Sequence, residues 1–335
     1  MQNLWAVVLA AGEGKRMHSR LPKVLHPLCG KMMLNYVLES AAALTTQVLV
    51  VVGHGALQVR EAAGEKWDYV LQEEQLGTGH AVMEALKKLP KRGTVLILCG
   101  DTPLLEEGYL RQLLAQSVKK AVAVATTIMP DPTGYGRIVR DQNGQVERIV
   151  EDKDASVEEK EINEINTGIY CFDLNKLRDY LPRLNTDNIQ KEYYLPDVIA
   201  MMYRDSQGVG SYCIEDYRVG LGINNRVQLA EAVKLLQKSI NRSLMLNGVT
   251  VVDPDSTYID CDVQIGPDTV LMPNTVIEGG TVVGKACRIG PGSHLVKAVV
   301  KDQAVVRHAV VSDSTIERGS LVGPFTWVCP EQRKQ

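Results

Sequence analysis

The chain has 335 residues, 45% of them hydrophobic, and a formal net charge of −3. That length exceeds what one core ordinarily fills, so two domains are expected. The near-balanced charge argues against nucleic acid or an anionic membrane surface as partner, and no apolar run reaches the ~20 residues of a membrane span.

Seven cysteines (Cys29, Cys99, Cys171, Cys213, Cys261, Cys287 and Cys329) are scattered singly. An odd number without a C-x-x-C pair points to reduced thiols in a cytoplasm, and away from a disulfide framework or a zinc site. The six histidines show no metal-binding spacing. His54 and His80 sit beside glycines, where a local hydrogen bond is the expected role. The N-terminal apolar run is short and has no basic lead-in, so no signal peptide is expected.

Leu4–Ala10 reads as a buried strand. It runs into Gly12 and Gly14 and the cations Lys15, Arg16, Arg20 and Lys23. Glycines let backbone N–H groups approach an anion, and cations neutralise it, so this turn suits a polyphosphate. The alternative is an ordinary strand-to-helix turn with solvated cations. Met17 and Pro22 argue against a dinucleotide fingerprint, which needs a third glycine and an opening helix there. No G-x-x-x-x-G-K-[ST] loop is present.

Further on, Leu34, Val37, Leu38 and Ala41 mark an amphipathic helix. Strands are predicted at Gln47–Val52, Thr94–Cys99 and Ala121–Thr127, with a weaker one at Trp67–Gln72, and a helix at Thr78–Leu89. Strands alternating with helices imply an α/β fold with a mostly parallel sheet covered on both faces. Such sheets bind ligands beyond the carboxyl ends of their strands. The glycine turn, Gln72–Gly79 and Asp101 all fall there. Asp101, a carboxylate at a strand end, is the best metal-ligand candidate, since Mg²⁺ takes one or two carboxylates plus phosphates and waters. The alternative is that it caps the following turn. The charged stretch Glu151–Glu161 reads as a solvated loop or helix. Val227–Leu246 reads as a linker helix with Leu229, Val233, Leu236, Ile240 and Leu244 on one side.

After the linker the period becomes six. Ile259, Ile265, Leu271, Ile277, Val283, Ile289 and Leu295 recur at that spacing, and Thr269, Thr275, Thr281, Cys287 and Ser293 fill a small-residue position. The frame slips around Val300 and Val306 and is read to resume at Val310, Ile316, Val322 and Val328, with Ser314, Ser320 and Thr326. This is the pattern of a hexapeptide parallel β-helix, at about 18 residues per coil giving roughly four coils. The period does not establish handedness. The domains expected are 1–226, a linker helix 227–250, and a short β-helix 251–335.

The string L-A-A-G-x-G-x-R-M-x-S-x-x-P-K over residues 9–23 resembles that of sugar-nucleotide pyrophosphorylases, most closely the bacterial N-acetylglucosamine-1-phosphate uridyltransferases. The resemblance continues in order through Gln72-Glu73-Glu74-Gln75-Leu76-Gly77-Thr78-Gly79-His80-Ala81, Gly100-Asp101-Thr102-Pro103-Leu104 and Asp131-Pro132-Thr133-Gly134-Tyr135-Gly136-Arg137. It then runs through Glu164-Ile165-Asn166-Thr167-Gly168, Glu192-Tyr193-Tyr194 and Gly222-Ile223-Asn224-Asn225-Arg226. It implies a Rossmann-like nucleotidyltransferase domain followed by a left-handed β-helix. The implied reaction is Mg²⁺-dependent transfer of UMP from UTP to N-acetylglucosamine 1-phosphate, a cell-wall precursor step. Arg16 and Lys23 would be the catalytic cations. Leu9, Ala10, Ala11, Gly12, Lys23, Gln72, Gly77 and Thr78 would bind the nucleotide. Gly100, Gly136, Glu151, Asn166 and Asn224 would bind the sugar, and Asp101 and Asn224 the metal. Lys15, Arg20 and Lys31 are read as surface cations.

Cys99 stands where many members carry Tyr, and Pro196 where Thr is common. Another hexose 1-phosphate therefore stays open, as does a non-catalytic sugar-nucleotide-binding subunit. Bifunctional members carry further coils with an acetyl-CoA site, so acetyltransferase activity is not expected of these 335 residues. A homotrimer through the β-helices is the leading expectation, with a weaker or monomeric state the alternative for four coils.

Overall fold

A computed structural model describes residues 3–330. Two compact units emerge: the chain up to His26 together with Met32–Arg226, and Pro27–Lys31 together with the chain from Val227.

The first unit is built on a sheet whose strands are β1 (Leu4–Ala10), β4 (Val48–Val52), β5 (Asp68–Leu71), β6 (Thr94–Cys99), β7 (Val122–Ile128), β8 (Arg137–Arg140), β9 (Val146–Val150), β10 (Glu164–Asp173) and β11 (Val209–Ile214). A separate two-stranded ribbon pairs β2 (Pro27–Leu28) with β3 (Lys31–Met32), and Pro27–Lys31 belongs to the second unit. The spine runs β11-β7-β10-β6-β1-β4-β5, and β8 and β9 form a hairpin attached to β10. All spine pairs are parallel except those of β10, which is antiparallel to both neighbours. The helices are α1 (Met33–Ala42), α2 (Ala56–Ala63), α3 (Thr78–Leu86), α4 (Glu107–Gln116), α5 (Val157–Lys160), α6 (Leu174–Tyr180) and α7 (Asp197–Arg204).

The central strands read as unbroken apolar runs because both faces are buried. Val7, Val95 and Ile97 face one core with α3, α6 and α7, while Ala6, Val8, Leu96 and Leu98 face the other with α1, α2 and α4. The helix read from Leu34, Val37, Leu38 and Ala41 is α1, and all four side chains are buried. Within the acidic stretch, α5 is a single turn closed by a capping box between Ser156 and Glu159.

Among the described residues the second unit contains α8 (Arg226–Leu246), from Val227 on, and 14 short strands in three parallel sheets of five, five and four. The first strand, Thr250–Val251, lies at the edge of the stretch read as linker. Ile259, Leu271, Ile277, Val283, Ile289 and Leu295 point inward and stack. The buried small residues bond between coils: Thr269 Oγ1 donates to Gly284 O (2.8 Å) and accepts from Cys287 N (3.1 Å).

The frame slip has a specific form. Partners lie 18 apart at Val276 and His294, 17 apart at Val282 and Val299, and 16 apart at Val299 and Thr315. Three corners, between Leu295 and Val300, Val306 and Val311, and Val311 and Ile316, are therefore shorter by a residue. As a result Val311 is the inward residue, and Val310, read as inward, is exposed. Since side chains alternate faces along a strand, a one-residue error exchanges the two.

The apolar stripe assigned to α8 also needs correction. Leu229, Val233, Leu236, Ile240 and Leu244 are only half-buried, and the fully buried side chains are Ala232, Gln237 and Asn241. Asn241 Nδ2 donates to Pro254 O (2.9 Å) and Thr257 O (3.1 Å), and its Oδ1 accepts from Gln237 Nε2 (3.2 Å). Gln237 Oε1 in turn accepts from Ile259 N (3.1 Å). The first coil has no preceding coil to satisfy its backbone, and these amides supply the partners. Asn241→Ala should destabilise this unit by about 2 kcal/mol, the cost of stranding buried polar groups. Calorimetry of the full chain reads this as a lowered melting transition, and an unchanged transition contradicts it.

Candidate active site

A half-open cavity of about 490 Å³ lies at the carboxyl ends of β1, β5 and β6. Its wall includes Leu9, Ala10, Ala11 and Gly12 from the turn after β1, Lys23, Gln72, Gly77 and Thr78, Cys99 and Asp101. Most of the residues proposed for nucleotide and metal thus converge. Lys15, read as a surface cation, also lines the cavity, ion-paired to Glu13 (3.1 Å).

The glycine turn is shaped by close approach. Gly14 has φ +67°, and a Cβ there would stand 2.6 Å from Lys23 Cβ. Only glycine lets the two segments fold together so that the Lys23 side chain enters the cavity. The turn is held further by Arg226, whose Nε donates to Met17 O (3.3 Å) and whose Nη1 lies 3.2 Å from His26 Nδ1. Burial, and then the Arg226 charge, lower the pKa of His26, which disfavours a charged imidazole beside the guanidinium.

Asp101 and Asn224 are joined through the backbone. Ile223 N donates to Asp101 O (2.9 Å), and a Cβ on Gly222 would lie 3.2 Å from the Asp101 carboxylate. Asn224 Nδ2 donates to Gly222 O (3.1 Å), which turns Oδ1 outward. Lys23 Nζ donates to that Oδ1 (3.0 Å) and also to Asp101 Oδ2. A carboxylate oxygen and an amide oxygen therefore meet at one cationic point, now taken by an ammonium. Two hard oxygens so placed fit Mg²⁺, which completes its shell with phosphates and water.

Gln72 is buried, and its Nε2 donates to Gly77 O (3.2 Å), so the amide offers its oxygen to the cavity. The same Nε2 lies 3.2 Å from His80 Nδ1. His80 Nδ1 bonds Glu74 O (2.9 Å), the local role expected of it. Gly77 has φ +103°, and a Cβ would stand 2.7 Å from Tyr193 O. The Thr78 hydroxyl accepts from Leu195 N (3.2 Å). The Gly77–Gly79 and Glu192–Tyr194 motifs are thus two sides of one backbone contact.

Gly136, Glu151 and Asn166 form a neighbouring cluster. Asn166 N donates to Gly136 O (2.8 Å), and a Cβ on Gly136 would be 3.5 Å from Glu151 Oε1. Cys99 joins this cluster to the cavity, its Sγ 3.4 Å from Gly168 O. Burial, and then the Asp101 carboxylate, push the Cys99 thiol up to about 12, so it is no nucleophile. Gly100 does not face the cavity: it is buried, with its N–H on Leu9 O (2.9 Å). Arg16 is exposed on the turn Lys15–Met17 and does not line the cavity.

Burial, and then the carboxylates of Asp197, Asp154, Glu192 and Asp152, push the Glu151 carboxyl up to about 7. Its folded-state value lies above its ordinary 4.5, so the folded protein holds this proton more tightly than the unfolded chain. The resulting stability is full below about 4.5 and is lost as pH rises through about 7. Glu151→Gln should flatten that decline. Melting temperatures of both proteins across this window check it, and parallel curves contradict it.

Residues 6–156 match the MobA-like NTP transferase domain, and residues 262–297 match the bacterial transferase hexapeptide (six repeats). Over 335 residues the chain is 47% identical to the bifunctional protein GlmU of Listeria monocytogenes serotype 4a, across 99% of this chain and 73% of the relative. The chain belongs to the GlmU family. The GlmU of Caldanaerobacter subterraneus subsp. tengcongensis is 46% identical over 334 residues, with the same shares covered. As a GlmU-type protein the chain is a nucleotidyltransferase, and its hexapeptide strands form a left-handed parallel β-helix. Among the described residues no helix is long and apolar enough to cross a membrane.

Proposed function

We propose that this GlmU-type chain transfers UMP from UTP to N-acetylglucosamine 1-phosphate, releasing pyrophosphate and forming UDP-N-acetylglucosamine. The observation that carries the reading is the convergence of Lys23, Asp101 and Asn224 at the cavity beneath the glycine turn. Asp101 and Asn224 would hold Mg²⁺, which when bound spreads the charge of the phosphates as a Lewis acid.

The oxygen of Gln72 accepts from the N3–H of uracil, and the backbone of Leu9 to Gly12 borders the base. Cytosine presents an acceptor at that position and would face an acceptor. Lys23 leaves its carboxylate partner for phosphate oxygens of nucleotide and sugar phosphate, and Lys15 stands at the same wall. Arg16 swings in from its exposed turn to neutralise charge that builds on the α-phosphate. The sugar-phosphate oxygen then attacks the α-phosphorus in line, and the bond to the bridging oxygen of pyrophosphate breaks. No covalent enzyme intermediate forms; positioning and electrostatics carry the rate. Glu151 and Asn166 hold the sugar.

Outward Val282 and Val299 on one β-helix face are partly exposed, which supports assembly through this unit as a homotrimer. The test of the function is pyrophosphate release across four nucleoside triphosphates and a panel of hexose 1-phosphates, with and without Mg²⁺. UTP with N-acetylglucosamine 1-phosphate should give the highest kcat/KM. A higher value for CTP or for another hexose 1-phosphate contradicts the assignment.

A further inference from the structure

Asn166 and Tyr170 lie four residues apart on β10. In a regular strand such residues are ~13 Å apart, at about 3.3 Å per residue. Here Asn166 Nδ2 donates to the Tyr170 hydroxyl at 2.7 Å. The strand makes this contact by breaking register: its pairing to β7 shifts between Asn166 and Tyr170, where Gly168 adopts φ +76°. A Cβ on Gly168 would stand 2.9 Å from Cys99 Sγ, so the small side chains at 99 and 168 allow the bulge.

The bulge also fixes the Asn166 amide. Gly168 N lies 3.1 Å from Asn166 Oδ1. A backbone N–H can only donate, so the oxygen end of the amide must face it. The nitrogen end must then face Tyr170. One of its two hydrogens goes to the Tyr170 oxygen and one is left. Asn166 therefore keeps a free donor at its nitrogen end, on a residue whose Cβ lies beside Gly136 and Glu151.

We propose that Tyr170 is a positioning residue that sets the sugar selectivity of this site by holding Asn166 as a directed donor. A sugar that offers an acceptor there, such as the carbonyl oxygen of an N-acyl group, is taken. A sugar that offers an ammonium at the same place meets N–H against N–H and is rejected. Tyr170 itself is buried and acts through Asn166. The inference rests on the proposed role of Asn166 in the sugar site.

Two substitutions test it. Tyr170→Phe removes one oxygen and keeps the ring in its core. It should raise the KM for N-acetylglucosamine 1-phosphate about tenfold, the scale of one hydrogen bond, leaving the KM for UTP unchanged. The preference over glucosamine 1-phosphate should fall by the same factor. Asn166→Asp retains an oxygen for Gly168 N–H and accepts from the Tyr170 hydroxyl, but turns the donor into an acceptor. It should move the preference toward glucosamine 1-phosphate. An unchanged ratio between the two sugars in both variants overturns the inference, as does an equal loss for sugar and UTP. A wild-type chain that turns over UTP but shows no preference for the acylated sugar overturns the substrate reading and this inference with it. A wild-type preference that survives both substitutions overturns this inference alone.

Discussion

Asp101→Ala should lower turnover about 10²- to 10³-fold, the scale of one electrostatic stabiliser, in a protein that still folds. Its side chain supplies a carboxylate oxygen that meets Asn224 Oδ1 at the Lys23 ammonium. Its structural contribution is separate, because the bond that anchors the Gly222–Asn225 segment comes from its backbone carbonyl to Ile223 N. Replacing the side chain leaves that bond in place, so Asn224 stays where it is. The loss should therefore appear in catalysis with the melting temperature nearly kept. Asn224→Ala should do the same more mildly, since an amide oxygen carries no net charge. Near-normal Mg²⁺-dependent turnover in the Asp101 variant contradicts the role.

Lys23→Met should move two quantities in opposite directions. Turnover should fall about 10²-fold, again the scale of one charge acting on the reacting phosphates. The affinity of the nucleotide-free protein for Mn²⁺ should rise, by roughly tenfold or more, because a unit positive charge no longer occupies the point that a divalent ion would take. The pair is well shielded, with side-chain exposures of 15% for Lys23 and 17% for Asp101, so this repulsion is only weakly screened by water. Free Mn²⁺ measured by electron paramagnetic resonance during a titration reads the second effect without any turnover. Lower turnover with unchanged Mn²⁺ affinity would show that the ammonium and the metal do not compete.

Much of the fold was legible because hydrophobic periodicity was sufficient to place it. Leu4–Ala10 and Thr94–Cys99 match β1 and β6 residue for residue, since fully buried parallel strands leave unbroken apolar runs. The six-residue repeat announced the β-helix for a similar reason. Periodicity also explains the errors. It cannot count residues at a corner, so the short corner between Val311 and Ile316 puts Val310 where Val311 belongs. It is blind to polar residues buried by hydrogen bonds, so the apolar stripe of α8 misses Gln237 and Asn241.

The site was legible as a set of residues and less so as a set of roles. Gly12, Lys23, Gln72, Gly77 and Asp101 do converge. Gly100 is buried with its N–H on Leu9 O, and the Thr78 hydroxyl accepts from the backbone of Leu195. Arg226 and His26, which hold the cation-bearing turn, are 200 residues apart, and no local pattern joins them. The lock of Tyr170 on Asn166 depends on a bulge that strand alternation does not reveal.

The most direct test follows the α-phosphorus. With UTP labelled at that atom, N-acetylglucosamine 1-phosphate and Mg²⁺, all consumed label should appear in UDP-N-acetylglucosamine, with one pyrophosphate released per sugar nucleotide formed. Asp101→Ala should stop both together. Label recovered as UMP, or nucleotide consumption that survives in the Asp101 variant, would contradict uridylyl transfer at this site.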